Sequence, residues 1–283
     1  MSSKSLEQTI FERGSTTYYF SSKLFPKQVR EDVFRLYSFV RIADDYVDAA
    51  PQKTAEFTAL CRAWDLAKID NKFDTKRLST DSLDERVIKN MIYLVREYEI
   101  DPALVEAFLA SMLADIDKKT FKTLDESLGY VYGSAEVIGL MMSKVLGLPE
   151  EALPYARLQG RAMQWINFLR DIEEDNALGR HYFPADDLAL YHLPNLNHET
   201  ALGNHQLFID FVRMQLAHYQ DWQAQAAEGY KYIPKRILVP IKTAAELYAW
   251  TARQIQQNPL KVYDQKIKPT KRHLLTAAAK SAK

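Results

Sequence analysis

The sequence predicts an all-α fold, on three observations. Apolar residues recur at helical spacing through most of the chain. Glycine is scarce, at 9 of 283 residues. No stretch shows the alternation of apolar and polar residues that marks a strand between two turns. Because no repeat and no long linker divides the chain, we expect one domain over residues 1–283, built from roughly eight to ten helices.

Eight long helices are predicted in chain order, because prolines and short polar segments interrupt the helical pattern between them. The interruptions include Pro26, Pro51, the segments 147–151, 183–187 and 192–197, and Pro259. The predicted helices are Val29–Asp48, Lys53–Lys68, Ser82–Glu97, Pro102–Lys118, Leu124–Leu146, Tyr155–Asp175, Gln206–Gly229 and Leu238–Gln257.

Composition excludes several classes of protein. The chain has 37 basic and 37 acidic side chains, so its net charge predicts no nucleic-acid partner. A single cysteine, Cys61, excludes an internal disulfide framework and fits a reducing compartment. The first residues lack the apolar core of a signal peptide, and the longest apolar run, Val137–Leu148, is short and contains Lys144. We therefore expect a cytoplasmic protein of unknown oligomeric state.

A first acidic cluster lies at the end of the first long helix. In "YSFVRIADDYVDAAP", Asp44 and Asp48 are four residues apart and share one face of the helix, while Asp45 points about 100° away. A solvated helix end is one interpretation. The other is a magnesium site, because Mg²⁺ takes oxygen ligands and shares them with substrate phosphates.

A second polar cluster follows in "QWINFLRDIEEDNALGRHYFP". Asn167, Asp171 and Asp175 recur every four residues, so they drift only about 80° around a helix and form one stripe. Glu173 and Glu174 are expected to point away from this stripe into solvent.

Each cluster has an arginine nearby, Arg41 in the first and Arg170 in the second. Facing each other, the two clusters would form a mouth lined with oxygen ligands. Such a mouth suits a substrate with a strongly anionic head group.

Four motifs resemble those of the squalene/phytoene synthase family. The first cluster, "RIADDYVD", resembles the family's first aspartate-rich motif, and "NFLRDIEEDNALGRHYFP" resembles the second almost throughout. "YVYGSAEVIGLMM" (Tyr130–Met142) resembles the small-residue helix between them, and "GSTTYYFSSKLFP" (Gly14–Pro26) the N-terminal segment that closes over the diphosphates. Order and spacing match over about residues 10–270, which would leave a basic C-terminal tail beyond the core.

The resemblance implies the isoprenoid synthase fold, a helical bundle around a deep apolar cavity, and prenyl diphosphate substrates. It implies Mg²⁺, with Mn²⁺ able to substitute. The ligand set that it implies is Asp44, Asp48, Asn167, Asp171 and Asp175.

The resemblance also implies roles around the head group. Arg41, Arg170 and Arg180 would contact phosphates or hold the carboxylates, Thr17 and Tyr18 lie in the closing segment, and Gln164 matches a cavity glutamine. Tyr37 and Tyr132 fall at positions that the family uses near the substrate. Further candidate cavity aromatics, for which core packing is the competing interpretation, are Phe39, Trp165, Phe168 and Tyr182.

Three departures from the family's pattern stand out. The closing segment carries Thr16 and Thr17 where many relatives have a basic residue, and Glu136 stands amid apolar residues where many relatives have glycine. Glu136 is either exposed or paired with a cation. The basic C-terminal tail is either solvated or in peripheral contact with anionic lipid, at the inner face of the membrane, where a lipid product would be released.

Three functions remain open at this point. A phytoene synthase joins two geranylgeranyl diphosphates and needs no NADPH. A squalene or dehydrosqualene synthase joins two farnesyl diphosphates, and squalene formation needs NADPH. A non-catalytic assembly factor on the same fold is the third. The Gly-Ser-Ala-Glu form of residues 133–136 and the lack of a membrane anchor favour the first.

Overall fold

Long helices surround a central cavity, as the helical spacing of the apolar residues predicts. The computed structural model describes residues 4–69, 82–117, 120–264 and 266–282. Its α-helices are α1 Leu6–Gly14, α2 Thr16–Ser22, α3 Lys27–Asp48, α4 Thr54–Ile69, α5 Leu83–Glu97, α6 Pro102–Asp117, α7 Leu124–Val131, α8 Val137–Val145, α9 Leu153–Arg170, α10 Ile172–Ala177, α11 Ala185–Leu190, α12 His198–Gly203, α13 His205–Glu228, α14 Lys235–Gln257, α15 Lys261–Asp264 and α16 Lys271–Ser281. A π-helical turn, Tyr132–Glu136, joins α7 to α8, and 3₁₀ turns lie at Glu150–Ala152 and Gly229–Tyr232.

The predicted helices all appear, but the prediction omitted several short helices. The described residues contain more helices than the eight to ten expected, because α1, α2, α16 and several one- or two-turn helices lack a long apolar period. Lys118, the predicted end of one helix, lies outside the described residues. Two predicted helices are interrupted, one by the π-helical turn and one at Asp171, where α9 gives way to α10.

A small strand pair was not predicted. β1 (Thr120–Phe121) lies parallel to β2 (His181–Pro184), with Thr120 opposite His181 and Phe121 opposite Pro184. The pair is too short to show an alternating pattern in the sequence. It pairs the end of the second motif with the segment that follows α6 in the chain. No helix within the described ranges is both long and apolar enough to cross a membrane.

Two apolar cores flank the cavity. One packs α1 and α3–α6 against α8, with Phe39, Trp64 and Phe108 among its fully buried rings. The other packs α7, α9, α13 and α14 with β2, and there Trp165 meets Phe183 and Trp222 edge to face. Both cores bury large rings away from water, which is the main favourable contribution to folding. The helices that divide them supply the cavity walls.

Helices α1 and α2 form a short N-terminal hairpin across the bundle. Ser15 accepts a hydrogen bond from the backbone N–H of Tyr18 and so caps α2. At the turn, a Cβ on Gly14 would lie 2.5 Å from the hydroxyl of Tyr37. A larger residue there would displace the side chains of Tyr37 and Arg41, so the hairpin packs closely on the helix that carries the first acidic cluster.

A buried ion pair attaches α1 to α5. The carboxylate of Glu7 accepts from Arg86 at 2.6 and 3.0 Å and from Asn90 at 3.1 Å. Burial by itself would raise the pKa of Glu7, but these hydrogen bonds outweigh it and hold the pKa at about 2. The pair therefore stabilises the fold above pH about 4.5, the ordinary pKa of the group, and this contribution is lost as the pH falls towards 2.

We predict that Glu7→Gln lowers the free energy of unfolding by about 2 kcal/mol at pH 7, because it leaves the Arg86 charge uncompensated. The variant should also lose less stability than the parent when the pH falls from about 4.5 to 2. Urea unfolding at several pH values measures both effects. Glu12→Gln is the control, since the pair of Glu12 with Lys4 is exposed and should contribute little to stability. Equal losses in the two variants would contradict the prediction.

Candidate active site

A cavity of about 700 Å³ lies between the two cores. At one end it is lined by carboxylates and arginines from α3, α9 and α10. Deeper in, the wall is apolar or small, with Ala135, Ile138, Gly139 and Met142 on one side and Ala156, Gly160 and Met163 on the other. The polar end and the apolar interior therefore belong to one continuous space.

The first acidic cluster faces this space as its spacing predicts. Asp44 and Asp48 line the cavity, and Asp45 does not. Arg41 donates to Asp44 at 3.2 Å, and its other terminal nitrogen lies 2.5 Å from Asp45. One arginine thus balances part of the charge of two neighbouring carboxylates.

The second cluster keeps its stripe through a break in the helix. Helix α9 ends at Arg170, and the Asp171 backbone departs from helical angles. The backbone bonds from Asp171 to Asn167 (2.9 Å) and from Asp175 to Asp171 (2.8 Å) continue across the break. All three side chains line the cavity. The predicted stripe is therefore present in the structure.

One expectation about this cluster was only partly met. Glu173 and Glu174 are both exposed, as expected, but Glu174 also lines the cavity and pairs with Lys266. Lys266 also lies 3.7 Å from Asp171. The segment after α15 is distant in sequence, so local periodicity gave no sign that it brings a cation to the mouth.

Arg180 links the two clusters. Its guanidinium is buried, pairs with Asp48 and donates to the backbone carbonyl of Val47 at 2.7 Å. Arg180 immediately precedes β2, so the strand pair fixes where this side chain enters the mouth. This side chain thereby connects the end of the second motif to the first.

The carboxylates repel one another strongly. Burial and then the Asp48 carboxylate raise the pKa of Asp44 to about 7. Burial and then the Asp171 and Asp48 carboxylates raise the pKa of Asp175 to about 8. An added cation would oppose both shifts, because positive charge favours the ionised forms.

These groups fit a divalent cation that is shared with a ligand. Among the described residues, no three carboxylate, histidine or cysteine side chains lie close enough together to hold an ion by themselves. Mg²⁺ is usually held by one or two carboxylates and completes its shell with water and phosphate oxygens. The buried Oδ1 of Asn167 has no hydrogen-bond partner in the described part of the chain, so one oxygen ligand is already free of competing bonds.

A third buried carboxylate escaped the sequence analysis. Asp115 in α6 lines the cavity and accepts from the hydroxyls of Tyr130 (2.6 Å) and Tyr182 (3.0 Å). Burial raises its pKa to about 6, against the opposing effects of these bonds and of Arg180. The one available signal was an aspartate on the apolar face of α6, four residues after the buried Ser111.

Most of the other candidates also reach the cavity: Thr17, Tyr18, Tyr37, Gln164, Phe168, Arg170 and Tyr182. Tyr18 contacts the sulfur of Met163 at 2.8 Å, and Arg170 donates to Asp171 at 2.8 Å. Gln164 accepts from Asn167 at 3.2 Å.

Three aromatic candidates do not line the cavity. Phe39 and Trp165 are fully buried in the two cores. Tyr132 instead lies under the guanidinium of Arg157, 5.2 Å from the ring centre. The physical reason is helical geometry, since residues two apart point about 200° away from each other. Tyr130 faces the cavity, so Tyr132 faces away from it.

Comparison with known proteins identifies close similarities over nearly the whole chain. Residues 11–273 match the model of the family described as squalene/phytoene synthase. The chain is 28% identical to a 15-cis-phytoene synthase of Enterobacter agglomerans over 275 residues, which cover 96% of this chain and 93% of the relative. It is 26% identical to a phytoene synthase of Arthrospira platensis, with 88% and 82% of the two chains covered.

Solved structures share the fold at lower identity. A dehydrosqualene synthase in complex with ligand superposes with a TM-score of 0.84 at 19% identity, covering 97% of this chain and 93% of that one. The squalene synthase HpnC of Alicyclobacillus acidocaldarius gives a TM-score of 0.75 at 18% identity, with 94% of each chain covered. The predicted isoprenoid synthase fold is confirmed.

We predict that Arg180→Met lowers the free energy of unfolding by about 3 kcal/mol, because it leaves Asp48 and its neighbours without a buried counter-charge. Millimolar Mg²⁺ should raise the unfolding temperature of this variant more than that of the parent, since the ion replaces part of the missing positive charge. Thermal unfolding with and without Mg²⁺ measures this.

Arg213→Met is the control, because the pair of Arg213 with Asp210 is exposed on α13. It should change neither the stability nor the Mg²⁺ response by a measurable amount. An Mg²⁺ response of Arg180→Met no larger than that of the parent would show that these carboxylates do not attract the ion.

Proposed function

Because the chain belongs to the squalene/phytoene synthase family, it is a prenyltransferase, and we propose that it is a phytoene synthase that joins two geranylgeranyl diphosphates. One observation carries the proposal: two carboxylate clusters face each other across the mouth of an apolar cavity, in one continuous space. The mouth suits a diphosphate head group and the interior suits its prenyl tail. Relatives named phytoene synthase, matched over most of both chains, support this product.

The head group is held from both sides of the mouth. Asp44 and Asp48 on one side, with Asn167, Asp171 and Asp175 on the other, are proposed to bind Mg²⁺, for which Mn²⁺ can substitute. The ion supplies positive charge to the departing diphosphate. Arg41, Arg170 and Arg180 then either contact phosphate oxygens or keep the carboxylates in place.

Two terminal segments complete the mouth. Thr17 and Tyr18 in α2 line it and supply hydroxyl groups. Lys266, beside Asp171 and Glu174, supplies a cation from the C-terminal side. We propose that Lys266 provides the positive charge that the N-terminal segment lacks at Thr16 and Thr17.

The reaction that we propose has two ionisations. The first substrate loses diphosphate, and the C2–C3 double bond of the second attacks the resulting allylic cation; loss of a proton gives a cyclopropylcarbinyl diphosphate. This intermediate loses its own diphosphate, rearranges, and gives up a second proton to yield phytoene. The chain's part is to exclude water and to place aromatic faces near the cation, for which Tyr37, Phe168 and Tyr182 line the cavity.

A squalene or dehydrosqualene synthase is the alternative, because solved structures with those activities share the fold. Their identities, 19% and 18%, support the fold alone. Substrate length and the need for NADPH separate the two functions. A non-catalytic assembly factor is disfavoured, since both carboxylate clusters are complete and face the cavity.

We predict that Asp48→Asn and Asp171→Asn each lower turnover by about a thousandfold, because each removes ligand charge at nearly constant volume. The controls are the neighbours that the structure places outside the cavity, Asp45→Asn and Glu173→Gln, which should keep activity within about fivefold. Diphosphate release at saturating Mg²⁺ measures all four. A control as inactive as its neighbour would mean that charge in the segment matters, and not its position.

We predict that purified protein with Mg²⁺ and geranylgeranyl diphosphate forms phytoene, and that NADPH changes neither the rate nor the product. The physical reason is that proton loss ends the reaction without any hydride donor. Extraction and mass spectrometry of the hydrocarbon identify the product. The squalene-type alternative would be established if the protein accepts only farnesyl diphosphate, or if the cyclopropyl intermediate accumulates until NADPH is added.

A further inference from the structure

Glu136 is completely buried at the centre of an ion cluster. It has no exposed surface, and its carboxylate lies between two arginines of α9. Arg157 donates through Nε to Oε2 at 2.8 Å, and Arg161 through Nε to Oε1 at 2.6 Å. The question that the sequence left open is thereby answered: Glu136 is paired with two cations.

Aromatic rings extend the cluster on both sides. The guanidinium of Arg157 lies over Tyr132 at 5.2 Å, and that of Arg161 over Trp222 at 5.4 Å. The cluster therefore joins three elements: the π-helical turn, α9 and α13. None of its three charged side chains lines the cavity.

The cluster lies where two helical backbones touch. Gly160, between the two arginines in α9, approaches the π-helical turn so closely that a Cβ there would be 2.5 Å from the carbonyl oxygen of Ala135. One turn further along, a Cβ on Gly139 would be 2.4 Å from the carbonyl oxygen of Ala156. This backbone contact is also a wall of the cavity, because Ala135, Gly139 and Gly160 all line it.

Small residues permit close approach, but they do not fix the register of two helices. Helices normally fix their register by packing side-chain ridges into grooves, and glycine and alanine provide almost no ridge. Charge-assisted hydrogen bonds are directional and short, so the two arginines hold Glu136 at one height along α9. Apolar side chains of similar volume would fill this place without the cost of burying charge, so stability alone does not account for the cluster.

We propose that Glu136, Arg157 and Arg161 are positioning residues that fix the register of the cavity wall and thereby set which length of prenyl tail the cavity accepts. The inference rests on the proposed function, because it takes a prenyl tail as the occupant. A slide of the π-helical turn along α9 would move Ala135 away from Gly160 and change the free cross-section at that depth. A long prenyl tail extends past the place where the π-helical turn crosses α9. The cavity wall at this crossing therefore discriminates between tails of different length.

The test is the binding of two non-ionising substrate analogues, geranylgeranyl and farnesyl thiolodiphosphate, measured by calorimetry in the presence of Mg²⁺. The readout is the ratio of the two dissociation constants, which general destabilisation does not change. We expect Glu136→Gln to change this ratio by threefold or more, because the neutral amide cannot hold both arginines. Arg157→Gln should change the ratio in the same direction by less, since Arg161 remains. Because the side chain of Arg157 is half-exposed, this variant should fold even if Glu136→Gln does not.

Asp32→Asn is the matched control. Asp32 is also fully buried and paired with an arginine, Arg35, and it accepts from Tyr98 at 2.6 Å, but it does not line the cavity wall at the crossing. It should lower the unfolding temperature and leave the ratio unchanged.

Two results would overturn the inference in different ways. If the parent binds the analogues and every folded cluster variant keeps its ratio within threefold, Glu136 has a purely structural role and the proposed function stands. If the parent binds neither analogue, the proposed function fails and the inference fails with it.

Discussion

Burial and mutual repulsion both disfavour the charged forms of the carboxylates at the cavity mouth. Asp44, Asp48, Asp171 and Asp175 line one space that is partly withdrawn from water. Carboxylates in such a place either become protonated or acquire cations. Burial and the neighbouring carboxylates raise the pKa values of Asp44 and Asp175, and the opposing effects of Arg41 and Arg180 do not cancel these shifts. The proposed metal ion would supply further positive charge at this place.

The arginines perform two tasks at once in this arrangement. Each is paired with a carboxylate in the structure, which keeps that carboxylate at a defined position, and each retains donors for a ligand at the mouth. Arg180, which immediately precedes β2 in the second motif, also connects that motif to the first through a buried side chain. The electrostatics of the site and the packing of the bundle are therefore coupled.

A different constraint governs the cavity interior, where the cation of the proposed reaction would need space, apolar walls and no water. Helix α9 makes close backbone contact with the π-helical turn through Gly160 and with α8 through Gly139, so this wall of the cavity has no gap between its helices. The charged cluster around Glu136 lies behind this contact, where its full set of hydrogen bonds is kept away from the reaction space. Asp115 is the opposite case, a carboxylate inside the cavity whose oxygens are engaged by two tyrosine hydroxyls.

The sequence by itself determined the helical class, the long helices and the shared faces of both acidic clusters, because these follow from the local period of the backbone. The same period carries no information on which neighbour a helix face meets. For this reason, Tyr132 was expected at the cavity although Tyr130 faces it, and Asp115, Glu174 and Lys266 were not recognised as lining the cavity. Only the tertiary structure decided these positions, because each depends on contacts between helices that are far apart in the chain, and those contacts select one face of each helix for the cavity.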